Sequence, residues 1–394
     1  MRLPYLALAF LASASALAAC GTADPIAASG TTADCATITA ANTDDCVRMN
    51  QIQVLGTHNS YHVAPAPPIL AALGQRARDI EYSHRPLTEQ LSRLGIRQFE
   101  LDVFADPEGG RFADPDARRT IPGLDPPGPA MRTAGFKVLH TQDVDYHSTC
   151  WTLVECLTQI RDWSRANPGH VPIQIQIEAK DGIVNDTPQF RFAKPIPIGA
   201  RELDALDAEI RQVFARDHLI TPDDVRGSRR TLAEAVQQDG WPTLRRVRGR
   251  ILFAFDNTDQ HRTDYLAGHP SLEGRVLFVS SDAPESSAAF IKMNEAIGAE
   301  EARIRERVRA GFLVRTRADI PTAEARSGDT VRRDSAFRSG AQYVSSDYPE
   351  SSPFGSGYIA RLPGAESLTA RCNPVSAPAG CRNEWLEPAV ARRP

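Results

Sequence analysis

The chain has 394 residues, 42% hydrophobic and 24% charged, a composition that supports a sizeable core and excludes a disordered or fibrous protein. Its formal net charge of -4 gives no basic stripe with which to displace counterions, so nucleic acid is not the expected partner. One α/β barrel of about 250 residues, enlarged by loop insertions, accounts for this length.

Met1 to Ala19 hold one early cation, Arg2, then an apolar run from Leu6 to Leu11, then small residues. That is the order of an export signal, and it is too short to span a membrane. Leu17-Ala18-Ala19-Cys20 resembles the lipobox of bacterial lipoproteins, with ordinary cleavage after Ala18 as the alternative. The chain has seven cysteines, an odd number for an oxidising compartment, and a lipidated Cys20 would leave six. The simplest pairing joins near neighbours: Cys35 with Cys46, Cys150 with Cys156, and Cys372 with Cys381. No Cys-x-x-Cys pair or Cys/His cluster of zinc spacing appears. The expected protein is therefore exported and anchored at the cell envelope through Cys20, or otherwise periplasmic or secreted. Residues 1–19 are expected to form the signal, 20–47 a tether, 48–362 the barrel, and 363–394 an appendage pinned by a disulfide.

From Gln51 onward, short β-branched or apolar runs alternate with amphipathic helical stretches, the pattern of parallel strands joined by helices. Eight strands are expected: Gln51 to Gly56, Gln98 to Phe104, Phe136 to His140, Val171 to Glu178, Arg250 to Phe255, Arg275 to Ser280, Gly311 to Arg317, and Gln342 to Ser346. Helices are expected over Trp151 to Arg165, Arg201 to Arg216 and Glu300 to Arg309, where apolar residues recur at three and four. Eight such strands predict a TIM-type (β/α)8 barrel. The irregular stretches Asp106 to Gly135 and Asp181 to Gly199 each follow a strand bearing polar residues, and read as loops on the substrate side.

A barrel gathers the carboxyl ends of its strands at one mouth, so polar residues at those ends converge. The first expected strand runs into His58-Asn59-Ser60-Tyr61, the second carries Glu100 and Asp102, the third ends in His140, and the fourth ends in Glu178 followed by Lys180. Two carboxylates two apart on a strand share a face. Alone, Glu100 and Asp102 would be read as partners for arginines; with Asn59 and Glu178 they form an oxygen-rich set suited to calcium, with magnesium or manganese also accommodated. His58 and His140 can supply the proton acceptor and donor that phosphodiester cleavage needs. Arg315 and Arg317 share a strand face and, with Lys180, could hold phosphate or pair with the carboxylates. Asp347-Tyr348, after the last strand, could form a sugar or ring contact with a substrate.

His58-Asn59-Ser60-Tyr61 resembles the His-Asn-Thr-Tyr signature of the calcium-dependent phosphatidylinositol-specific phospholipases C. Phe99-Glu100-Leu101-Asp102-Val103 resembles their Glu-Leu-Asp metal strand. Val138-Leu139-His140-Thr141 resembles the segment bearing their second histidine, and Pro172 to Glu178 the strand ending in a further acidic ligand. These matches stand in the right order over the first half of the barrel. The resemblance implies the PLC-like phosphodiesterase barrel, with Asn59, Glu100, Asp102 and Glu178 binding Ca2+. His140 would be the general acid, and His58 the base or phosphoryl-charge stabiliser, with Glu100 an alternative base. The implied substrate is a phospholipid or inositol phosphodiester, contacted at a membrane surface through the substrate and the lipid anchor and cleaved by 2-hydroxyl attack to diacylglycerol and a cyclic inositol phosphate. Two other readings remain. A glycerophosphodiester phosphodiesterase would read His-Arg-Gly where this chain has His58-Asn59-Ser60, and a non-catalytic head-group-binding lipoprotein would not need both histidines. A serine hydrolase is disfavoured, since no Gly-x-Ser-x-Gly elbow is present.

Overall fold

A computed structural model describes residues 34–183 and 187–387. Eight parallel strands form its core: β1 (Ile52–Thr57), β2 (Gln98–Phe104), β3 (Ile173–Ala179), β4 (Ile251–Phe255), β5 (Leu277–Val279), β6 (Phe290–Lys292), β7 (Leu313–Arg317) and β8 (Tyr343–Ser346). Each pairs in parallel with the next around the ring, and β8 pairs back onto β1. Between β5 and β6 the link is a single parallel bridge, Ser280 to Phe290, which closes the barrel.

The strand sequence of β3, Ile-Gln-Ile-Gln-Ile-Glu-Ala, shows how the closure works. Side chains alternate along a strand, so Ile173, Ile175 and Ile177 share one face and Gln174, Gln176 and Glu178 the other. Register pairs Gln98, Glu100 and Asp102 with those three polar residues in turn. The polar set therefore lines the barrel interior, while the isoleucines are buried in the main core under the surrounding helices. Gly56 leaves room for this lining: a Cβ there would stand 1.7 Å from Gln98 Oε1.

The expected helices are observed at Leu153–Ala166, Ala200–Val213 and Ala299–Arg309. The first starts at Thr152, whose side chain accepts from Glu155 N as an N-cap. The disulfides are the three expected from spacing, Cys35–Cys46, Cys150–Cys156 and Cys372–Cys381. The export signal and Cys20 lie outside the described residues.

One expected strand is corrected. Phe136 to His140 is not part of the barrel: only Lys137–Val138 is extended, and it pairs antiparallel with Val103 and Phe104 at the end of β2. The eighth barrel strand is instead β6, three residues long and too short to carry a periodic signal. The strand Ala370–Cys372 pairs antiparallel with β1, and beyond it Glu387 is buried against Arg97.

Candidate active site

Strand direction puts the carboxyl ends of β1, β2, β3, β7 and β8 at one mouth. The turn after β1 holds Asn59 at a φ of 43°, a left-handed conformation that asparagine tolerates better than most residues. Ser60 fixes this turn onto β2 from both sides, donating its N–H to Glu100 O at 2.9 Å and accepting Glu100 N at its Oγ, also at 2.9 Å.

His58 Nδ1 lies 2.8 Å from Asp347 Oδ1, just past β8, and its Nε2 accepts from Arg317 at 3.2 Å. Nδ1 is thus the protonated nitrogen and Nε2 carries the lone pair. Burial, reinforced by the Arg317 charge, pushes His58 down to about 3. Asp347 is buried too, yet His58 and Arg317 hold its carboxyl well below the usual range.

Glu100, Asp102 and Glu178 bring one carboxylate oxygen each within 4.8 Å of the others. Burial raises Glu100 to about 7 against the pull of Arg315, with the Asp256 and Glu178 charges adding to the rise. Burial likewise raises Asp102, against Lys180, whose Nζ stands 2.6 Å from Oδ2. Arg315 bonds Glu100 and reaches Asn294 with its other terminal nitrogen. The cations foreseen as phosphate contacts are therefore each matched to a carboxylate: Lys180 to Asp102, Arg315 to Glu100, and Arg317 to Asp347.

This set suits calcium. Crowding carboxylates together makes sense where a cation joins them, all three offer oxygens, and Asp102 Oδ1, like Asn59 Oδ1 in the turn after β1, is buried with no hydrogen-bond partner.

His140 reaches the same mouth although its segment is outside the barrel. Its carbonyl accepts from Lys180 Nζ at 3.2 Å, and its Nδ1 lies 2.6 Å from Asp145 Oδ2. Asp145 also faces His62 Nε2, at 2.9 and 3.0 Å from its two oxygens. Burial and the Lys180 charge lower His140. Asp145 is buried, but the two histidines keep its carboxyl well below the usual range.

Tyr348 borders this group through Tyr82, whose hydroxyl accepts from Asn59 Nδ2 at 2.9 Å. The Tyr348 ring packs edge-on to Tyr358, with centroids 6.1 Å apart, in a small aromatic cluster that includes Tyr82. Sequence reasoning missed Asp145, Asp256, Lys292 and Asn294 and gave Asp347 no role beside His58. Asp145 is only five residues from His140, which was the available signal. Lys292, bonded to Asp256 at 2.6 Å, was hidden with its unrecognised strand.

A family profile described as phosphoinositide phospholipase C, Ca2+-dependent, matches residues 47–374. Among solved structures, a calcium-dependent phosphoinositol-specific phospholipase C from a Pseudomonas species is similar at 15% identity, with 84% of this chain and 96% of that one covered and a TM-score of 0.51. A Ca2+-dependent phosphatidylinositol-specific phospholipase C from Streptomyces antibioticus is 18% identical over 77% of this chain and 95% of that one, at a TM-score of 0.49. No curated protein matches the chain. At these identities the structural likeness speaks for the fold, a PLC-like TIM barrel.

Proposed function

Because the chain belongs to the Ca2+-dependent phosphoinositide phospholipase C family, a family of phosphodiesterases, we propose that it cleaves phosphatidylinositol or a related inositol phosphodiester at the barrel mouth. The observation that carries this reading is the pairing of an oxygen-only carboxylate cluster with two histidines, each held by its own aspartate.

Asn59, Glu100, Asp102 and Glu178 would hold calcium, which when bound neutralises developing charge on a phosphoryl oxygen. His58 Nε2, oriented by the Nδ1–H to Asp347, gives up its Arg317 donor for the inositol 2-hydroxyl and takes that proton as the oxygen attacks phosphorus. The bond from phosphorus to the diacylglycerol oxygen breaks, and His140, steadied through Nδ1 by Asp145, gives that oxygen a proton. Arg315, Arg317 and Lys180 line the same mouth and offer positive charge to the phosphoryl group. The products are diacylglycerol and a cyclic inositol phosphate.

The three disulfides indicate an exported protein, and no helix among the described residues is long and apolar enough to cross a membrane. A lipid on Cys20 would keep the barrel at the surface that holds its substrate; loss of fatty-acid labelling in Cys20→Ser is the check.

The site divides into two testable parts. His140→Ala should lower turnover by about 100-fold or more while calorimetric calcium affinity stays unchanged, whereas Asp102→Ala should weaken calcium binding. Full activity in His140→Ala, or unaltered calcium affinity in Asp102→Ala, would remove the assignment.

A further inference from the structure

The strongest feature outside the carboxylate cluster is a buried junction of His62, Asp145 and His140. These residues bring two ring nitrogens and a carboxylate oxygen within 4.8 Å of one another. His62 and Asp145 are buried, while His140 keeps part of its ring exposed at the mouth. Tyr61 O accepts from Thr149 N at 2.8 Å, and His62 forms a bridge with Ser148, so this junction is braced by backbone pairing between two loops.

The hydrogen bonds of His62 set the chemistry. Its Nδ1 lies 3.0 Å from Tyr82 O, a carbonyl, which can only accept, so Nδ1 carries a hydrogen. In neutral imidazole the other nitrogen then presents a lone pair, and Nε2 faces both oxygens of Asp145. A lone pair against a carboxylate is repulsive unless something positive bridges them, and either a proton shared by the pair or a metal ion can fill that place. A histidine whose remote N–H is held by a backbone carbonyl is also the usual arrangement of a metal ligand, since that bond fixes the ring and its tautomer.

We propose that His62, Asp145 and His140 form a second cation site, selective for a zinc-like transition metal and separate from the calcium carboxylates. Two imidazoles and one carboxylate, the His140 ring partly exposed, match the three-ligand pattern of zinc. Nitrogen donors favour such metals over calcium, so the two sites sort cations by donor type. Zinc ligands lie about 3.3 Å apart in a tetrahedral shell, so the present separations of 2.6 to 3.0 Å between Asp145 and the two rings need to open by less than about 1 Å. Protons compete with a metal for the same imidazole and carboxylate donors, so affinity falls with falling pH. A metal on His140 also withdraws the general acid, which makes the site inhibitory; this consequence alone rests on the function proposed above.

The test uses the untagged protein saturated with calcium and titrated with Co2+ as a spectroscopic probe, followed by Zn2+. The expected result is one equivalent bound, visible absorption of a nitrogen- and oxygen-ligated ion, and displacement by Zn2+. Affinity should fall at least about tenfold in both His140→Ala and His62→Gln, with calcium affinity unchanged. His140 is at the open edge of the junction, so its variant retains a readable result if His62→Gln does not fold. Failure of the wild type to take up Co2+, or uptake unchanged in His140→Ala, would overturn the site and leave a buried His62–Asp145 ion pair. In parallel, zinc should inhibit phosphodiester cleavage in step with occupancy. Binding as described in a protein that cleaves no inositol lipid would sink the proposed function and leave the metal site standing.

Discussion

Asp347 does more for His58 than neutralise charge. It accepts from the Nδ1–H and from Arg317 at once, so its two oxygens fix both the tautomer of the ring and the cation beside it. Asp347→Asn keeps the shape but presents an amide where a carboxylate stabilised the proton on Nδ1, and a flipped amide would favour the wrong tautomer. The expected outcome is a fall in kcat of about 100-fold or more with calcium affinity unchanged, read by steady-state kinetics beside calorimetry. The identity of the histidines was legible in the sequence because their motif is local. Asp347 was not, because it lies 289 positions from His58 and meets it only when β8 closes against β1.

The segment around His140 shows how an element can deliver a residue by an unexpected route. Phe136 to His140 has the apolar character of a buried strand, yet only Lys137–Val138 is extended, paired antiparallel with Val103 and Phe104 at the end of β2. His140 arrives at the mouth all the same, because Val103 and Phe104 lead there. The helix Leu153–Ala166 is tied to the segment that leads into β3 by His170, which lies 2.7 Å from Ser164 Oγ and 2.6 Å from Val171 O. Burial pushes His170 down to about 4. Its folded-state value lies below the ordinary 6.5, so the unfolded chain binds more protons between these limits. Stability should therefore fall as pH drops from about 6.5 to about 4, by up to ~3 kcal/mol from this group, and level off below. His170→Gln should flatten that part of the curve in urea unfolding at several pH values; an unchanged slope would contradict the assignment.

Across the whole molecule, the chain beyond the last barrel strand is part of the closure. Ala370–Cys372 adds to β1, and Glu387 accepts from buried Arg97 and from Val171 N at 2.8 Å, while Arg97 stacks over Trp163 at 4.8 Å from the ring centroid. Removing one partner of a buried ion pair leaves the other uncompensated, so Glu387→Ala should cost about 3–5 kcal/mol of unfolding free energy. A loss below about 1 kcal/mol in urea titration would mean that this contact is peripheral. The order of alternating strands and helices, read along the sequence, was enough to identify a closed barrel, and short cysteine spacings were enough for the disulfides. The long-range closure contacts were not legible, since nothing near Arg97 or Glu387 announces a partner 290 positions away.

The central claim is that one mouth holds calcium and drives the inositol 2-hydroxyl onto phosphorus. The most direct measurement is phosphorus NMR of phosphatidylinositol incubated with the purified protein, with calcium or with chelator. A cyclic inositol phosphate signal that appears with calcium and is absent with chelator is the predicted result; an intact lipid in both samples, or release of glycerol phosphate with no cyclic species, would contradict it.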